Sequence, residues 1–212
     1  MQAGTAVSNL ASAIAVQSGE AVLVSELKAG SEAAFALLIA QYHQPIYSVI
    51  ARSLQDPSDA ADITQEVFLK VFRGIGSFHG DASLKTWLYR IALHEASNRR
   101  RWWSRHKKQE LTIDSPVAES EYGGDALCLG DTLTDGGRSP FELAAEHETR
   151  MRVAAALQKL PENYRTVLVL REIEGFAYDE IAEILDIHIG TVKSRLLRGR
   201  AALKNHLQGA AR

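Results

Sequence analysis

The stretch Tyr178–Leu207 reads YDEIAEILDIHIGTVKSRLLRGRAALKNHL. Ile181, Ile184 and Leu185 fall on one side of a first short helix, and Ala182 is small where two helices would cross. DIHIG reads as a turn, with Ile187 pointing inward and Gly190 permitting an unusual backbone angle. In the second helix Val192, Leu196, Gly199 and Leu203 recur at spacings of four, three and four, which is a buried stripe. The other face carries Thr191, Lys193, Ser194, Arg195 and Arg198. This is the pattern of a helix-turn-helix. No Asp or Glu occurs from His188 to Arg212, whereas Lys193, Arg195, Arg198, Arg200, Lys204 and Arg212 are basic. A recognition helix sets its N-terminal residues in the major groove, where an acidic side chain would face phosphate repulsion. A basic solvated face on an ordinary helical hairpin is the competing interpretation. His188 and Ile189 are poor N-cap residue types for the second helix.

The rest of the chain gives this helix its context. The 212 residues carry a net charge of −2, and 46% are hydrophobic. The charge is unevenly spread: −3 over residues 1–60, +5 over 61–110, −7 over 111–150 and +3 over 151–212. Two basic blocks flank an acidic one, a distribution the average conceals. The single cysteine, Cys128, excludes a disulfide framework and a cysteine zinc site, and suits a reduced cytoplasm. No apolar run approaches the roughly 18–20 residues of a membrane span. Residues 1–22 are rich in Ala, Ser and Val, with no Lys or Arg before Lys28, which reads as a disordered tail rather than a secretory leader.

Helical periodicity dominates, so the expected fold class is all-α. Val22–Leu54 is expected to form one or two helices with Leu23, Leu27, Phe35, Leu38, Ile39, Tyr42 and Ile46 inward. DPSD at Asp56–Asp59 reads as a helix start, with Asp56 capping and Pro57 in the first helical position. Ile63, Val67 and Val71 then recur every four residues until Gly74 and Gly76 end the helix. The loop GSFHGDAS (Gly76–Ser83) leads to a helix from about Leu84 to Arg101 or beyond, with Trp87, Leu88, Ile91 and Ala92 as its apolar side. Residues 107–146 lose periodicity and accumulate glycine and acid, as a linker does. NRRRWWSRHKK (Asn98–Lys108) interleaves cations with aromatics. That suits phosphate contact and base stacking, and equally a helix end whose tryptophans cover a core.

Two segments together resemble a known family. DITQEVFLKVFRGIGSFHGDASLKTWLYRIA (Asp62–Ala92) is followed about 65 residues later by LQKLPENYRTVLVLREIEGFAYDEIAEILDIHIGTVKSRLLRGR (Leu157–Arg200). The pair is similar to regions two and four of bacterial sigma factors of the extracytoplasmic-function (ECF) branch. The resemblance implies two small helical domains, region two over 23–106 and region four over 147–212, joined by the acidic linker 107–146 and preceded by the tail 1–22. It implies a transcription initiation factor that docks on core RNA polymerase, recognises the -35 and -10 promoter elements and aids melting.

Residue by residue, the resemblance places Asp62, Gln65, Glu66, Phe68 and Leu69 against the β′ clamp helices of the polymerase. Two carboxylates and an amide around an apolar anchor suit a basic, partly apolar partner. It places Phe78, His79, Leu84, Lys85, Trp87, His94, Asn98, Arg99 and Arg100 at the -10 element, where a non-template base is extracted and held; Trp87 serves equally as core. His94 stands where relatives commonly have Asn, and His188 where they often have Pro. An imidazole offers its donor and acceptor in a different shape from an amide, so the base preference of relatives does not transfer. Thr191, Lys193, Ser194, Arg195, Leu197 and Arg198 match the family's -35 positions. The remaining implied partner is an anti-sigma factor, with the chain cytoplasmic or held by that partner at the inner membrane face; no cofactor, metal or small-molecule substrate is implied. A linker of about 39 residues at roughly 3.3 Å each spans more than 100 Å. That exceeds the roughly 55 Å between elements about 16 base pairs apart at 3.4 Å per pair.

Enzyme signatures fail individually. HEASN (His94–Asn98) begins like a zinc protease HExxH but ends in Asn, so a ligand is missing. GIGSFHG has the wrong glycine spacing for a phosphate loop. The residues alone leave two alternatives to the sigma-factor assignment: a dimeric helix-turn-helix regulator that acts without polymerase, and a helical interaction protein whose basic ends hold an acidic partner.

Overall fold

The structure, a computed structural model, describes residues 19–54, 57–110 and 140–209. Residues 1–18, Asp56, Cys128 and most of the acidic segment lie outside the described residues. Among the described residues there are eight α-helices and no strand. They are α1 (19–28), α2 (Glu32–Ser53), α3 (Ala60–Gly74), α4 (Leu84–Glu110), α5 (Pro140–Gln158), α6 (Glu162–Leu168), α7 (Tyr178–Leu185) and α8 (Ile189–Gly209).

Local chemistry explains the breaks. Gly30 adopts φ +81, a left-handed conformation that a side chain would resist, and turns the chain between α1 and α2. Ser31 then accepts the Ala34 N–H at 3.4 Å and caps α2. Helix α1 begins inside the segment expected to be a tail, and it has a task. The Glu20 carboxylate accepts the Leu84 N–H at 2.8 Å, which puts a negative charge on the positive end of α4. Ser83 completes that cap by accepting from Thr86 N at 3.0 Å.

The start of α3 departs from expectation. Pro57–Asp59 forms a 3-10 turn, and α3 begins only at Ala60. Asp59 does not cap it. Its carboxylate accepts instead from the Trp103 indole at 2.7 Å, a better partner for an aromatic N–H that sits beside it. The far end behaves as read: α3 stops at Gly74 and a 3-10 turn, Ile75–Ser77, follows.

Helices α1–α4 form one unit around Leu27, Leu38, Ile46, Ile50, Ile63, Val67, Val71, Leu84, Leu88 and Ala92, all buried. Ile39, expected inside, is exposed, because α2 turns Ala34, Leu38, Ile46 and Val49 inward instead. Helices α5–α8 form the second unit around Leu160, Val167, Leu168, Leu170, Ile181, Ile184, Val192 and Leu196. After α6 the chain widens into a π turn at Val169–Ile173 before Gly175, at φ +77, redirects it towards α7. The two units touch through α4 against α7 and α2 against α6, so their buried residues form one continuous cluster.

Helices α6 and α8 approach closely in the second unit. A Cβ on Gly199 would lie 3.1 Å from the Leu168 Cδ1 and 3.3 Å from the Tyr164 Cβ. The small residue that lets these helices meet is therefore Gly199. Gly199→Leu is expected to destabilise the second unit by about 1–3 kcal/mol through overpacking. A thermal melt followed by circular dichroism checks this, and an unchanged midpoint contradicts the close crossing.

Candidate nucleic-acid interface

Three surfaces hold the residues singled out by sequence. The first is α8. Val192 and Leu196 are buried against the unit's core, and this fixes the rotation of the helix. Lys193, Ser194, Leu197 and Arg198 are consequently exposed, with Thr191 and Arg195 half-buried at the margins. Leu197 is 73% exposed, so its position on the outward face is not a packing requirement. Ser194 Oγ donates to the Thr191 carbonyl at 3.0 Å.

Two expectations about this motif are corrected. The unusual backbone angle belongs to Asp186, at φ 51, and not to Gly190, which lies in the first turn of α8. His188 is an effective cap: its Nδ1 accepts the Gly190 N–H at 3.1 Å, while its carbonyl accepts from Thr191 at 2.8 Å. An imidazole nitrogen serves here as the Ser or Asp oxygen usually does. A Cβ at Gly190 would sit 3.2 Å from that ring, so the glycine makes room for the cap. The basic run is also not wholly unopposed. Arg200 makes a two-pronged contact with Glu172, Nη2 at 2.6 Å and Nε at 3.0 Å.

The second surface is α4 and the loop before it. Leu84 is fully buried and Phe78 nearly so, packed against Trp87 with ring centroids 5.2 Å apart. Both were expected at the -10 pocket; both are core residues, and Phe78 supports the half-buried Trp87. His79 is exposed beside Gly80, whose φ is +82. Further along, His94, Asn98, Arg101 and Arg105 share one stripe at helical spacing. Arg101 donates to Asn98 Oδ1 at 2.7 Å, and the Asn98 amide nitrogen lies 3.1 Å from His94 Nδ1. Beneath them Glu95 pairs with Lys70 at 2.7 Å. Burial raises the Glu95 pKa, but the bonds from Lys70 and His94 outweigh it and hold the carboxyl below its ordinary value. Arg99 lies in a cleft with Glu66, Asn98, Trp102 and Arg105. The expected list omitted Arg101 and Arg105, although their spacing from His94 and Asn98 was visible.

Lys85 and Arg100 face elsewhere. Lys85 Nζ donates to the Glu174 carbonyl at 2.8 Å, and Arg100 pairs with Glu162, both acceptors belonging to the second unit. Arg195 of α8 lines the same inter-unit cleft as Arg90, His94, Arg100 and Arg101.

The third surface lies on α2 and α3. Asp62, Gln65 and Leu69 are exposed, Glu66 and Phe68 half-buried. Phe68 stacks on His43 at 6.1 Å, and Phe72, 60% exposed, meets Phe35 at 4.9 Å. Residues 35, 39 and 43 of α2 thus run alongside residues 68 and 72 of α3. They form an apolar strip with carboxylates at one end. Phe35, Ile39 and Phe72 were missed as parts of this surface; Phe72 lies off the Ile63–Val67–Val71 stripe, which is the signal that could have placed it outside.

Comparison with known proteins decides what these surfaces belong to. Residues 38–105 match the model of Sigma-70 region 2, and residues 150–203 match that of Sigma-70, region 4. The ECF RNA polymerase sigma-E factor of Escherichia coli K12 is 36% identical over 88% of this chain and 93% of its own length. The chain belongs to the ECF sigma factors. The RNA polymerase sigma-H factor of Pseudomonas aeruginosa is 35% identical over 88% of this chain and 92% of its own. The solved structure of CnrH with the cytosolic domain of CnrY aligns with TM-score 0.60, at 25% identity, over 90% of this chain and 97% of that one. The sigma factor RpoE from Bartonella quintana, solved with the anti-sigma factor NepR, shares the fold at TM-score 0.59, covering 82% and 96% of the respective chains at 22% identity. This sigma factor is accordingly a promoter-specific transcription initiation factor. Among its described residues no helix is long and apolar enough to cross a membrane.

The cap on α8 gives a prediction independent of DNA. His188→Ala should cost roughly 1 kcal/mol, the usual value of an N-cap. For a chain of this size that lowers the melting midpoint by about 2–4 °C. His188→Asn should retain most of the stability, and calorimetry on the three proteins checks the order.

Proposed function

We propose that the α2/α3 strip docks on the clamp helices of the core polymerase β′ subunit, while α8 reads the -35 element and α4 the -10 element. The observation that carries this is the outward set on α8, where Lys193, Leu197 and Arg198 stand free of the packing that orients the helix. Arg and Lys meet guanine edges and phosphates, and Leu197 suits a thymine methyl. On α4 the stripe His94–Asn98–Arg101–Arg105, with Arg99 beside it, faces the separated strands, and His79 and Trp87 border the extracted base. Lys85 and Arg100 join them once released from the second unit. Phe78 and Leu84 act from below, by holding Trp87 and the loop.

At the docking face Phe72 and Leu69 supply the apolar anchor, with Asp62, Gln65 and Glu66 as the acidic rim. Bond formation is left to the polymerase, and no residue of this chain is assigned a catalytic role. The relatives solved with CnrY and NepR support a protein antagonist for this factor too, one that covers these faces. The factor would then be cytoplasmic, free or held by that antagonist at the inner membrane face.

Run-off transcription with core polymerase and a promoter library tests the whole assignment. Specific starts that depend on this chain are expected; none at all would overturn it. In that assay Lys193→Ala and Arg198→Ala should each weaken -35 recognition by about 1–3 kcal/mol if they bind bases. An equal loss on every sequence marks phosphate contacts instead. His94→Asn should shift the preferred -10 sequence. Leu69→Asp with Phe72→Asp should remove capture by core polymerase in a pull-down while leaving the helical content intact.

A further inference from the structure

His94 meets two neighbours that ask opposite things of one atom. Its Nδ1 lies 3.2 Å from Glu95 Oε1 and 3.1 Å from Asn98 Nδ2. An ionised carboxylate only accepts, and an amide nitrogen only donates. The Asn98 amide is held in this orientation, because Arg101 Nη2 donates to its Oδ1 at 2.7 Å. A ring nitrogen of a neutral imidazole either carries a proton or offers a lone pair, so one of the two neighbours must prevail.

Charge settles the competition. Lys70 of α3 holds the other Glu95 oxygen at 2.7 Å, and the Glu95 side chain is only 13% exposed. Burial opposes its charge, but the bonds from Lys70 and His94 hold the carboxyl below its ordinary value, and it is ionised at neutral pH. A hydrogen bond to an ionised acceptor is roughly twice as strong as one between neutral groups. Asn98 gives up little, since its N–H has Glu95 Oε1 at 3.5 Å as a second acceptor. Nδ1 therefore keeps the proton. In the neutral ring this leaves Nε2 as an acceptor, on a side chain that is 65% exposed.

We infer that Glu95, anchored by Lys70, is a positioning residue for promoter recognition: it fixes the His94 tautomer, so that His94 presents an acceptor and selects an amino base, adenine or cytosine, over a keto base, guanine or thymine. This rests on the assignment of His94 to the -10 element proposed above. On the edge that faces the major groove, adenine and cytosine carry an exocyclic N–H donor where guanine and thymine carry a carbonyl. The same edges are open in a separated strand. An acceptor at Nε2 bonds to the first pair and repels the second, and Glu95 does this without touching DNA.

The same wiring makes the selection depend on pH. A second proton turns Nε2 into a donor while the Nδ1 bond to Glu95 persists, so acid shifts the preference towards keto bases. The other charged groups around the ring are Arg90, Arg100 and Arg101 on α4 and, across the cleft, Glu162, Asp186 and Arg195. Glu162 is paired with Arg100, which leaves Glu95 as the carboxylate bonded to the ring.

The tautomer is tested first, by nitrogen NMR of the histidine rings in the full chain at about pH 8, where the unperturbed ring is neutral. Wild type should carry the His94 proton on Nδ1. In Glu95→Met, Asn98 donates to Nδ1 instead, and the proton should move to Nε2; Glu95→Gln, which keeps an acceptor without the charge, should lie between. A wild type protonated at Nε2, or a Glu95→Met ring unchanged from wild type, overturns the inference. Base selection is then measured with core polymerase on forked promoters. The exocyclic amine is removed one base at a time from the non-template -10 strand, purine for adenine and pyrimidin-2-one for cytosine. At the position where His94→Ala abolishes discrimination, wild type should lose about three- to tenfold without the amine. Glu95→Met should lose nothing there and favour a keto base. Wild type alone, with each pair of DNAs compared at one pH, should show the amine's advantage shrinking between about pH 8 and about pH 5.5; this arm needs no variant to fold. A keto preference in wild type at that position, or an amine dependence that Glu95→Met and acid both leave intact, also overturns it. If NMR shows the proton moving but His94→Ala alters no position, the assignment of His94 to the -10 element fails and base selection falls with it, whereas the control of the tautomer by Glu95 stands.

Discussion

Helix α4 cannot bury its apolar side chains against a single neighbour. Leu84, Leu88, Tyr89, Ala92, Leu93 and Ala96 are all buried, and α4 packs on α2, α3 and α7. Tyr89 sets the terms: its ring is fully buried, and a buried phenol must find an acceptor. It finds one in Glu174, which belongs to the other unit. The join between the two units is therefore a consequence of how much apolar surface one long helix carries.

The same packing determines which cations remain on the surface. Once α4 has committed its apolar faces, His94, Arg101 and Arg105 are among the residues left exposed, with Asn98 half-buried between them. Helix α8 follows the same logic, with Val192, Leu196 and Gly199 spent on the core and Lys193, Leu197 and Arg198 remaining. The cationic surfaces of this protein are residual surfaces, and their cations cost little because water still reaches them.

Much of this was legible from periodicity. The helix-turn-helix and the α3 stripe follow from spacings of three and four, whereas α4, expected from about Leu84 to Arg101 or beyond, runs on to Glu110, inside the segment expected to be linker. Burial was harder where two periodic solutions compete, and so Ile39 was placed inside and Phe78 and Leu84 at a DNA surface. Partnerships between distant residues had no local signature at all. Glu20 and Leu84 are 64 positions apart, Arg200 and Glu172 28, and Asp59 and Trp103 44. Each redirects a residue whose type alone suggested another task. His188 failed the usual ranking of caps because that ranking counts oxygens, and a ring nitrogen did the work.

Glu20 closes the circuit between the beginning of the described chain and α4. Its carboxylate sits on the electropositive end of α4, immediately ahead of Lys85 and Trp87. Loss of α1 would therefore uncap α4 as well as shorten the first unit.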